Sequence, residues 1–159
     1  MEKIVRCGQV EDINKLVAFL EKAGLSTEGV AESIDYFLIL EDEQGNINAT
    51  LGIEPLGNIG LLRSLVMTTK ASENELFTIF EQMLLLAREK QIQSLYLATN
   101  KAGSLQFFDL MGFVKEEKAQ LPEELLHSEH VRHILTVDNS VFMKLNMETV
   151  DISTKLSTK

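Results

Sequence analysis

Cysteine, basic residues and long apolar runs are scarce in this sequence, and each shortage excludes a class of protein. A single cysteine, Cys7, cannot form an internal disulfide framework. The 15 lysines and arginines are outnumbered by 24 aspartates and glutamates, which gives a formal charge of −9. That balance excludes a protein that coats nucleic acid by neutralising phosphates. Apolar runs such as residues 83–87 are far shorter than the roughly 20 residues of a membrane helix. We therefore expect neither nucleic acid nor a membrane as a partner.

The rest of the composition is that of an ordinary globular chain. Of its 159 residues, 45% are hydrophobic and 25% are charged, which is typical of one domain with a sizeable core. We predict a single domain over residues 1–147 and a polar tail over residues 148–159. The first residues lack the basic-then-apolar layout of a secretory signal, so we expect a cytoplasmic protein. Because Cys7 has no catalytic partner nearby in sequence, we predict a buried, inert thiol.

The first half of the chain predicts an edge strand, two helices and three further strands. Residues 3–7 favour an edge strand. Apolar residues recur at helical spacing from residue 10 and predict a helix that ends before Gly24. A second short helix is predicted over residues 29–34. Residues 36–55 predict a β-hairpin with a polar turn, and a third strand over residues 60–67 completes an antiparallel meander.

The second half begins with the strongest helical pattern of the chain. Ser72 stands three residues before Glu75, an arrangement in which each side chain satisfies a backbone N–H at a helix start. A strand over residues 94–99 follows this helix, and a right-handed crossover would set it parallel to its predecessor. The remaining patterns predict a helix over residues 103–111 and a strand over residues 113–115. They also predict a helical turn started by proline over residues 121–128 and a last strand over residues 140–146.

Three stretches of this order carry a resemblance to a known family. They are GIEPLGNIGLLRSLVM at residues 52–67, LYLAT at residues 95–99 and LQFFDLMGF at residues 105–113. With LPEELL after them, they resemble the GCN5-related N-acetyltransferase (GNAT) family, in the branch of arsenic-resistance-type acetyltransferases and N-acetylglutamate synthases. The resemblance implies an α/β (α+β) fold in which helices flank a mixed, mostly antiparallel central sheet.

The resemblance also implies acetyl-CoA as cosubstrate, held in a wedge between two strands. The backbone of Leu65, Val66 and Met67 would bind the pantetheine arm. The pyrophosphate would lie at the start of the long helix, where the helix dipole favours negative charge. The implied contacts there are Lys70, Ser72, Glu73, Asn74, Glu75 and Leu76. The far side of the wedge would be formed by Thr99, Asn100, Phe107 and Phe108.

The pyrophosphate loop departs from the family pattern. The family has glycines at this point, and this chain reads LVMTTKASENELF without one. Glu73 and Glu75 add two carboxylates beside the expected anion site, where each opposes a phosphate by about 1 kcal/mol at 4 Å in water. A plain helix cap is the alternative role for Ser72 and Glu75. Acetyl-CoA would then bind through backbone groups.

Catalysis by direct transfer requires a base and a proton donor. The tyrosine that many family members use as the donor is replaced by Phe108, and Ser104 or the Thr99–Asn100 pair are the candidates that remain. Small hydroxyls in such loops also act as caps. Glu54 is the candidate base, with an outward-pointing strand residue as the alternative. Arg63 is a candidate to bind a substrate carboxylate, although a salt bridge to Glu54 is favoured.

Three histidines, His127, His130 and His133, follow one another at intervals of three residues. This spacing puts only two of them near one helix face, so we expect no metal site and a surface or lid role for the segment.

Two functions stay open at this point. One is an enzyme that acetylates a primary amine of a small molecule, such as an amino acid or an analogue. The other is a degenerate member that binds CoA weakly or not at all and acts as a sensor or interaction module. A homodimer is the candidate assembly.

Overall fold

A single seven-stranded sheet forms the centre of the computed structural model, which describes residues 3–136 and 139–149. The strands are β1 Ile4–Cys7, β2 Phe37–Glu41, β3 Ile47–Leu56, β4 Ile59–Met67, β5 Ser94–Thr99, β6 Val114–Glu116 and β7 Val141–Asn146. Their order in space is β1-β2-β3-β4-β5-β7-β6. All neighbours are antiparallel except β4 and β5, which are parallel. The predicted mixed, mostly antiparallel sheet is confirmed.

Helices cover both faces of this sheet. They are α1 Ile13–Lys22, α2 Glu73–Glu89, α3 Ala102–Leu110, α4 Glu123–Leu126 and α5 Glu129–Leu135. Because side chains alternate along a strand, Leu38 of β2 packs in the core around α2 while its neighbour Phe37 packs against α1. On β4, Leu62 joins the core around α2, whereas Leu61 packs with residues of α4 and α5. Helices α2 and α3 therefore cover one face, and α1, α4 and α5 cover the other.

An ionic network fixes the edge strand to the start of α1. Arg6 on β1 donates to both carboxylate oxygens of Asp12 at 2.7 and 2.8 Å, and also contacts Glu41 on β2. Hydrogen bonds from Arg6 hold the pKa of Asp12 below its ordinary value, although burial opposes the shift. The network therefore stabilises the ionised form of Asp12.

The helices differ from the sequence-based prediction in two segments. The segment expected to be helical over residues 29–34 forms turns, and a 3-10 helix follows at Ile34–Tyr36. Gly29 has a φ of +80°, a left-handed conformation that a right-handed helix excludes. Helix α5 was not predicted, because its seven residues are too few to show a helical pattern clearly. The proline-started turn is confirmed as α4, with Pro122 as its N-cap.

The prediction of a buried thiol is wrong. Cys7 ends the edge strand and is exposed. Partial desolvation and the Glu89 carboxylate raise the pKa of its thiol, which disfavours the reactive thiolate.

At the other end, Met147 is buried in the core and begins a 3-10 helix that reaches Thr149. Residues 150–159 of the predicted tail lie outside the described residues. Within the described ranges, no helix is both long enough and apolar enough to span a bilayer.

Candidate functional site

The parallel strands β4 and β5 pair only at their first residues and then separate. Their ladder runs from Ile59 opposite Ser94 to Leu61 opposite Tyr96. Farther along β4, Ser64 has a φ of +58°, and the register with β3 shifts at this point. The buried Thr50 hydroxyl holds this bulge by donating to the Ser64 carbonyl at 2.7 Å. The separation leaves a wedge between the two strands.

The wedge contains a cavity of about 230 Å³. Its walls include Leu65 of β4, Thr99 at the end of β5, and Lys101, Ser104 and Phe108 from the start and body of α3. The Thr99 hydroxyl accepts from the Lys101 backbone N–H at 3.2 Å and so acts as a local cap. Ser104 lines the cavity, and its hydroxyl makes no hydrogen bond within the described chain. Of the two candidate hydroxyls, only Ser104 is without a hydrogen bond in the described chain, although Thr99 still has a hydroxyl proton to donate.

The other residues expected at the wedge point to different parts of the molecule. Val66 packs against the α1 side of the sheet, and Met67 packs against the α2 side, so only their backbone groups remain for a ligand. Phe107 lies 5.2 Å from Phe80 and 5.3 Å from Phe108 between ring centroids, inside an aromatic cluster. Asn100 is exposed beyond the end of β5.

The start of α2 satisfies most of its own backbone donors. Ser72 N–H donates to Glu75 Oε1 at 2.7 Å, and Glu75 N–H donates to Ser72 Oγ at 3.2 Å. Leu76 N–H bonds to the Ser72 carbonyl. Of the first-turn donors in the described structure, only the N–H groups of Glu73 and Asn74 are left without a partner. Ser72 and Glu75 therefore cap the helix, which is the alternative role predicted for them from the sequence.

Lys3 offsets one of the two carboxylates beside this helix start. Its ammonium lies 3.0 Å from Glu75 Oε1 and also donates to the Lys70 carbonyl. Burial opposes the shift, but the Ser72 amide and Lys3 together hold the pKa of Glu75 below its ordinary value. Glu73 is exposed beside the same turn. The Lys70 side chain is exposed and lines a groove on the α1 side of the sheet.

A second cavity, here called the Glu54 cavity, lies on the face of the sheet that carries α1 and α5. It has a volume of about 360 Å³. Its walls come from the turns before β2, from β3, from β4 and from the α4–α5 segment, with Glu28, Glu32, Glu54, Arg63, His127 and His130 among them. Arg63 also lines the wedge, so the two cavities adjoin at this residue.

Glu54 is held from the side of α5. The Ser128 hydroxyl, 2% exposed, donates to Glu54 Oε1 at 2.9 Å and accepts from the Val131 N–H as the N-cap of α5. Glu54 is half-buried and faces the cavity rather than bulk solvent. One carboxylate oxygen of Glu54 is thus fixed by a buried hydroxyl, and Oε2 accepts no hydrogen bond within the described chain.

The expected salt bridge between Arg63 and Glu54 is not formed. Arg63 instead donates to the carbonyls of Glu28 at 2.7 Å and Ser26 at 3.2 Å, and its guanidinium lies 5.5 Å from the Phe37 ring. Burial lowers the pKa of Arg63 from its ordinary value, and the Glu54 and Glu28 charges partly offset this. These contacts tie the turn before β2 to the strand at the junction of the two cavities.

Several cavity residues were missed by sequence reasoning. Glu28 and Glu32 lie in turns, although a helix was predicted over residues 29–34, and Glu129 lies in the unpredicted helix α5. Ser128 carried a signal, because a serine followed by glutamate is a common helix start. His127 and His130 line the cavity and His133 does not. The three-residue spacing was interpreted for a single helix, but His127 lies at the end of α4 and only His130 and His133 lie on α5. Residues 3–136 and 139–149 contain no group of three side chains placed to hold a metal ion.

Solved structures show which fold this is. N-acetylglutamate synthase from Neisseria gonorrhoeae, complexed with coenzyme A and N-acetyl-glutamate, matches with a TM-score of 0.69 at 20% identity over 92% of this chain. The chain spans only 35% of that synthase. Rv2747 from Mycobacterium tuberculosis, in complex with CoA and NLQ, matches with a TM-score of 0.71 at 17% identity, covering 90% of this chain and 98% of Rv2747. The chain thus has the GNAT acetyltransferase fold.

A protein related in sequence identifies the family to which the chain belongs. It is 39% identical over 141 residues to YwlB of Bacillus subtilis (strain 168), an uncharacterized protein, and the match covers 88% of this chain and 95% of YwlB. The chain belongs to the same family as YwlB. No protein-family model matches it.

Proposed function

We propose that this protein is an acetyl-CoA-dependent N-acetyltransferase that acts on a primary amine of a small molecule, such as an amino acid or an analogue, in the cytoplasm. The observation that carries the proposal is the separation of β4 and β5 into a wedge that adjoins a second, polar cavity at Arg63. Ligand sites are commonly concave, with a few polar groups that fix orientation. One cavity would hold the acetyl donor and the other the amine.

In this proposal the cofactor is bound mostly through backbone groups. The β5-facing edge of residues 65–67 would hydrogen-bond the pantetheine arm, since no strand occupies it. Thr99, Asn100, Phe107 and Phe108 would border or support the other side of the arm. The pyrophosphate would lie at residues 70–76, where the free N–H groups of Glu73 and Asn74 point outward from the helix start.

The chemistry then divides between two side chains. Glu54 would take a proton from the ammonium of the acceptor, directly or through one water, because its geometry and charge suit a base. The freed amine attacks the acetyl carbonyl, the carbon–sulfur bond breaks, and the thiolate of CoA leaves. Ser104 would give its hydroxyl proton to the thiolate and take up the second proton of the attacking nitrogen, since its hydroxyl lies in the wedge wall without a protein hydrogen-bond partner. Arg63 would orient a carboxylate-bearing acceptor.

The alternative is a degenerate member that senses or binds other molecules. Two observations favour it: the start of α2 is capped by its own side chains, and Phe108 has no proton to donate. Cofactor titration separates the two proposals.

Calorimetry with acetyl-CoA at low salt is the decisive experiment. Leu65→Trp fills the wedge mouth at a position that is already 38% exposed, so it should abolish binding without unfolding the chain. Leu110→Trp is the matched control, because Leu110 is 82% exposed and lines neither cavity. Wild-type binding that is lost only in Leu65→Trp supports the enzyme, and an absence of heat at millimolar acetyl-CoA contradicts it.

A further inference from the structure

A buried hydroxyl connects helix α5 to the candidate base. Ser128 is 2% exposed, and its Oγ lies 2.9 Å from Glu54 Oε1. The same Oγ accepts from the Val131 N–H at 3.2 Å, as the N-cap of α5. Ser128 and Glu54 are 74 positions apart in the sequence. One oxygen atom therefore belongs both to a helix cap and to the candidate site.

The direction of the proton in this contact follows from the bonding capacity of serine. A hydroxyl has one hydrogen to donate and two lone pairs with which to accept. The Val131 N–H occupies one lone pair of Ser128 Oγ, and an ionised Glu54 has no hydrogen to give. Ser128 is therefore the donor in its contact with Glu54. Within the described residues, no other acceptor is bonded to this hydroxyl.

The surroundings of Ser128 fix the place of its hydroxyl. The Ser128 N–H donates to the Leu125 carbonyl at 3.1 Å, and the Ser128 carbonyl accepts from the Arg132 N–H at 3.0 Å. Leu125 and Val131 are fully buried and pack with residues of β4 and β5. Ser128 is thus anchored to the sheet through its neighbours on both sides. A glutamate side chain has several rotatable bonds, and here one of its oxygens is held by a rigid donor.

We propose that Ser128 is a positioning residue, which holds Glu54 Oε1 so that Oε2 can take the proton of the acceptor ammonium. This inference rests on the proposed acetyl transfer. Glu54 lines the cavity that would hold the amine, and its Oε2 has no hydrogen bond within the described chain. The proton of Ser128 stays on Oγ throughout. A misplacement of about 1 Å can cost about 100-fold in rate, so a base that rotates freely is a poor one.

Steady-state rates of Ser128→Ala test this role. CoA thiol release would be followed with acetyl-CoA and the fastest of four acceptors, which are alanine, glutamate, lysine and 1,4-diaminobutane. We expect kcat to fall about tenfold, because Glu54 loses its fixed orientation, and KM for the acceptor to change by less than about twofold. Ser128→Gly should show the same loss of kcat with a smaller loss of stability, because glycine is an acceptable N-cap.

The matched control removes a different hydrogen bond from the same helix. The Thr136 hydroxyl donates to the His133 carbonyl at the other end of α5, and Thr136 is exposed and lines neither cavity. Thr136→Ala should therefore leave kcat unchanged. A fall in kcat equal to that of Ser128→Ala would mean that any weakening of α5 has this effect, and would overturn the specific role of Ser128.

A double-mutant cycle with Glu54→Gln separates positioning from a purely structural role. The glutamine cannot take a proton, so its orientation no longer matters to the transfer. Ser128→Ala should therefore lower kcat of the wild type and leave the residual kcat of Glu54→Gln unchanged. A loss of the same size in both backgrounds would overturn the positioning role.

The outcomes also separate this inference from the proposed function. If the wild type acetylates an acceptor and Ser128→Ala keeps the wild-type kcat, the positioning role fails and the enzyme stands. If the wild type acetylates none of the four acceptors, the proposed transfer fails for them and the positioning role fails with it. A urea midpoint that Ser128→Ala lowers more in the wild type than in Glu54→Gln would then identify the contact as stabilising only.

Discussion

Because the start of α2 is capped by its own side chains, we predict that Glu75 stabilises the fold and weakens the binding of acetyl-CoA. Glu75→Ala removes the bond to the Ser72 N–H and the ion pair to Lys3. Loss of a helix-capping interaction costs about 1 kcal/mol. A surface ion pair such as this one, with side chains 22% and 25% exposed, adds about 0.5 kcal/mol. For a chain of this length the sum lowers Tm by about 3–6 °C.

The same substitution should strengthen cofactor binding if the pyrophosphate lies at this helix start. It removes one negative charge, worth about 1 kcal/mol at 4 Å in water, which is about fivefold in Kd. It also frees the Ser72 N–H and the Lys3 ammonium for phosphate oxygens. We therefore expect acetyl-CoA to bind Glu75→Ala about tenfold more tightly than it binds the wild type.

Calorimetry with acetyl-CoA and thermal unfolding test this reasoning on the wild type, Glu75→Ala, Glu73→Gln and Glu117→Gln. Glu73→Gln removes the second carboxylate and leaves the cap intact, so affinity should rise about fivefold. Tm should fall by about 1–4 °C, because Glu73 loses its favourable interaction with the helix dipole. Glu117→Gln controls for net charge alone. If Glu75→Ala loses the expected stability but binds acetyl-CoA with the wild-type Kd, the phosphates do not lie at this helix start.

Three further predictions follow from the site and the edge network. Glu54→Gln keeps the Ser128 hydrogen bond but cannot take a proton, so kcat should fall at least about 100-fold and its pH profile should change, with Glu124→Gln as control. Arg63→Lys should raise KM about tenfold or more for carboxylate-bearing amines and less for simple amines; equal losses for all acceptors would indicate a purely structural role. Asp12→Asn should cost about 2 kcal/mol of unfolding free energy at neutral pH. Because its folded pKa is lowered, the stability that Asp12 provides is present above about pH 4 and is lost as pH falls through the folded value. In denaturant titrations the variant and the wild type should therefore converge at low pH, and a constant gap would contradict this assignment.

The elements with long periodic patterns could be predicted from the sequence, and the segments between them could not. Helix α2 begins after Ser72, where the serine-to-glutamate spacing placed it, because capping depends on residues only three apart. By contrast, Gly29 interrupts a predicted helix through a left-handed φ that no periodic pattern reveals.

The candidate site shows the same division between local and distant contacts. Glu54 and Arg63 were both identified as residues of interest, and both line one cavity. Their partners were not predictable, since Ser128 reaches Glu54 from 74 residues away and Glu28 reaches Arg63 from 35 residues away. From the sequence, a salt bridge between Glu54 and Arg63 was the simplest prediction. In the structure, Arg63 instead donates to backbone carbonyls of a turn that is distant in sequence.

The early end of the β4–β5 ladder has a consequence for solubility as well as for ligand binding. Sheets usually expose unpaired backbone groups only at their outer strands, which short length, charge or twist protect from pairing with other chains. Here β4 carries such an edge in the interior of the sheet, beyond Leu61. An extended peptide could add to that edge as a guest strand. A cofactor arm bound there would cover the unpaired backbone groups of β4. Self-association of the concentrated protein should therefore decrease when acetyl-CoA occupies the wedge.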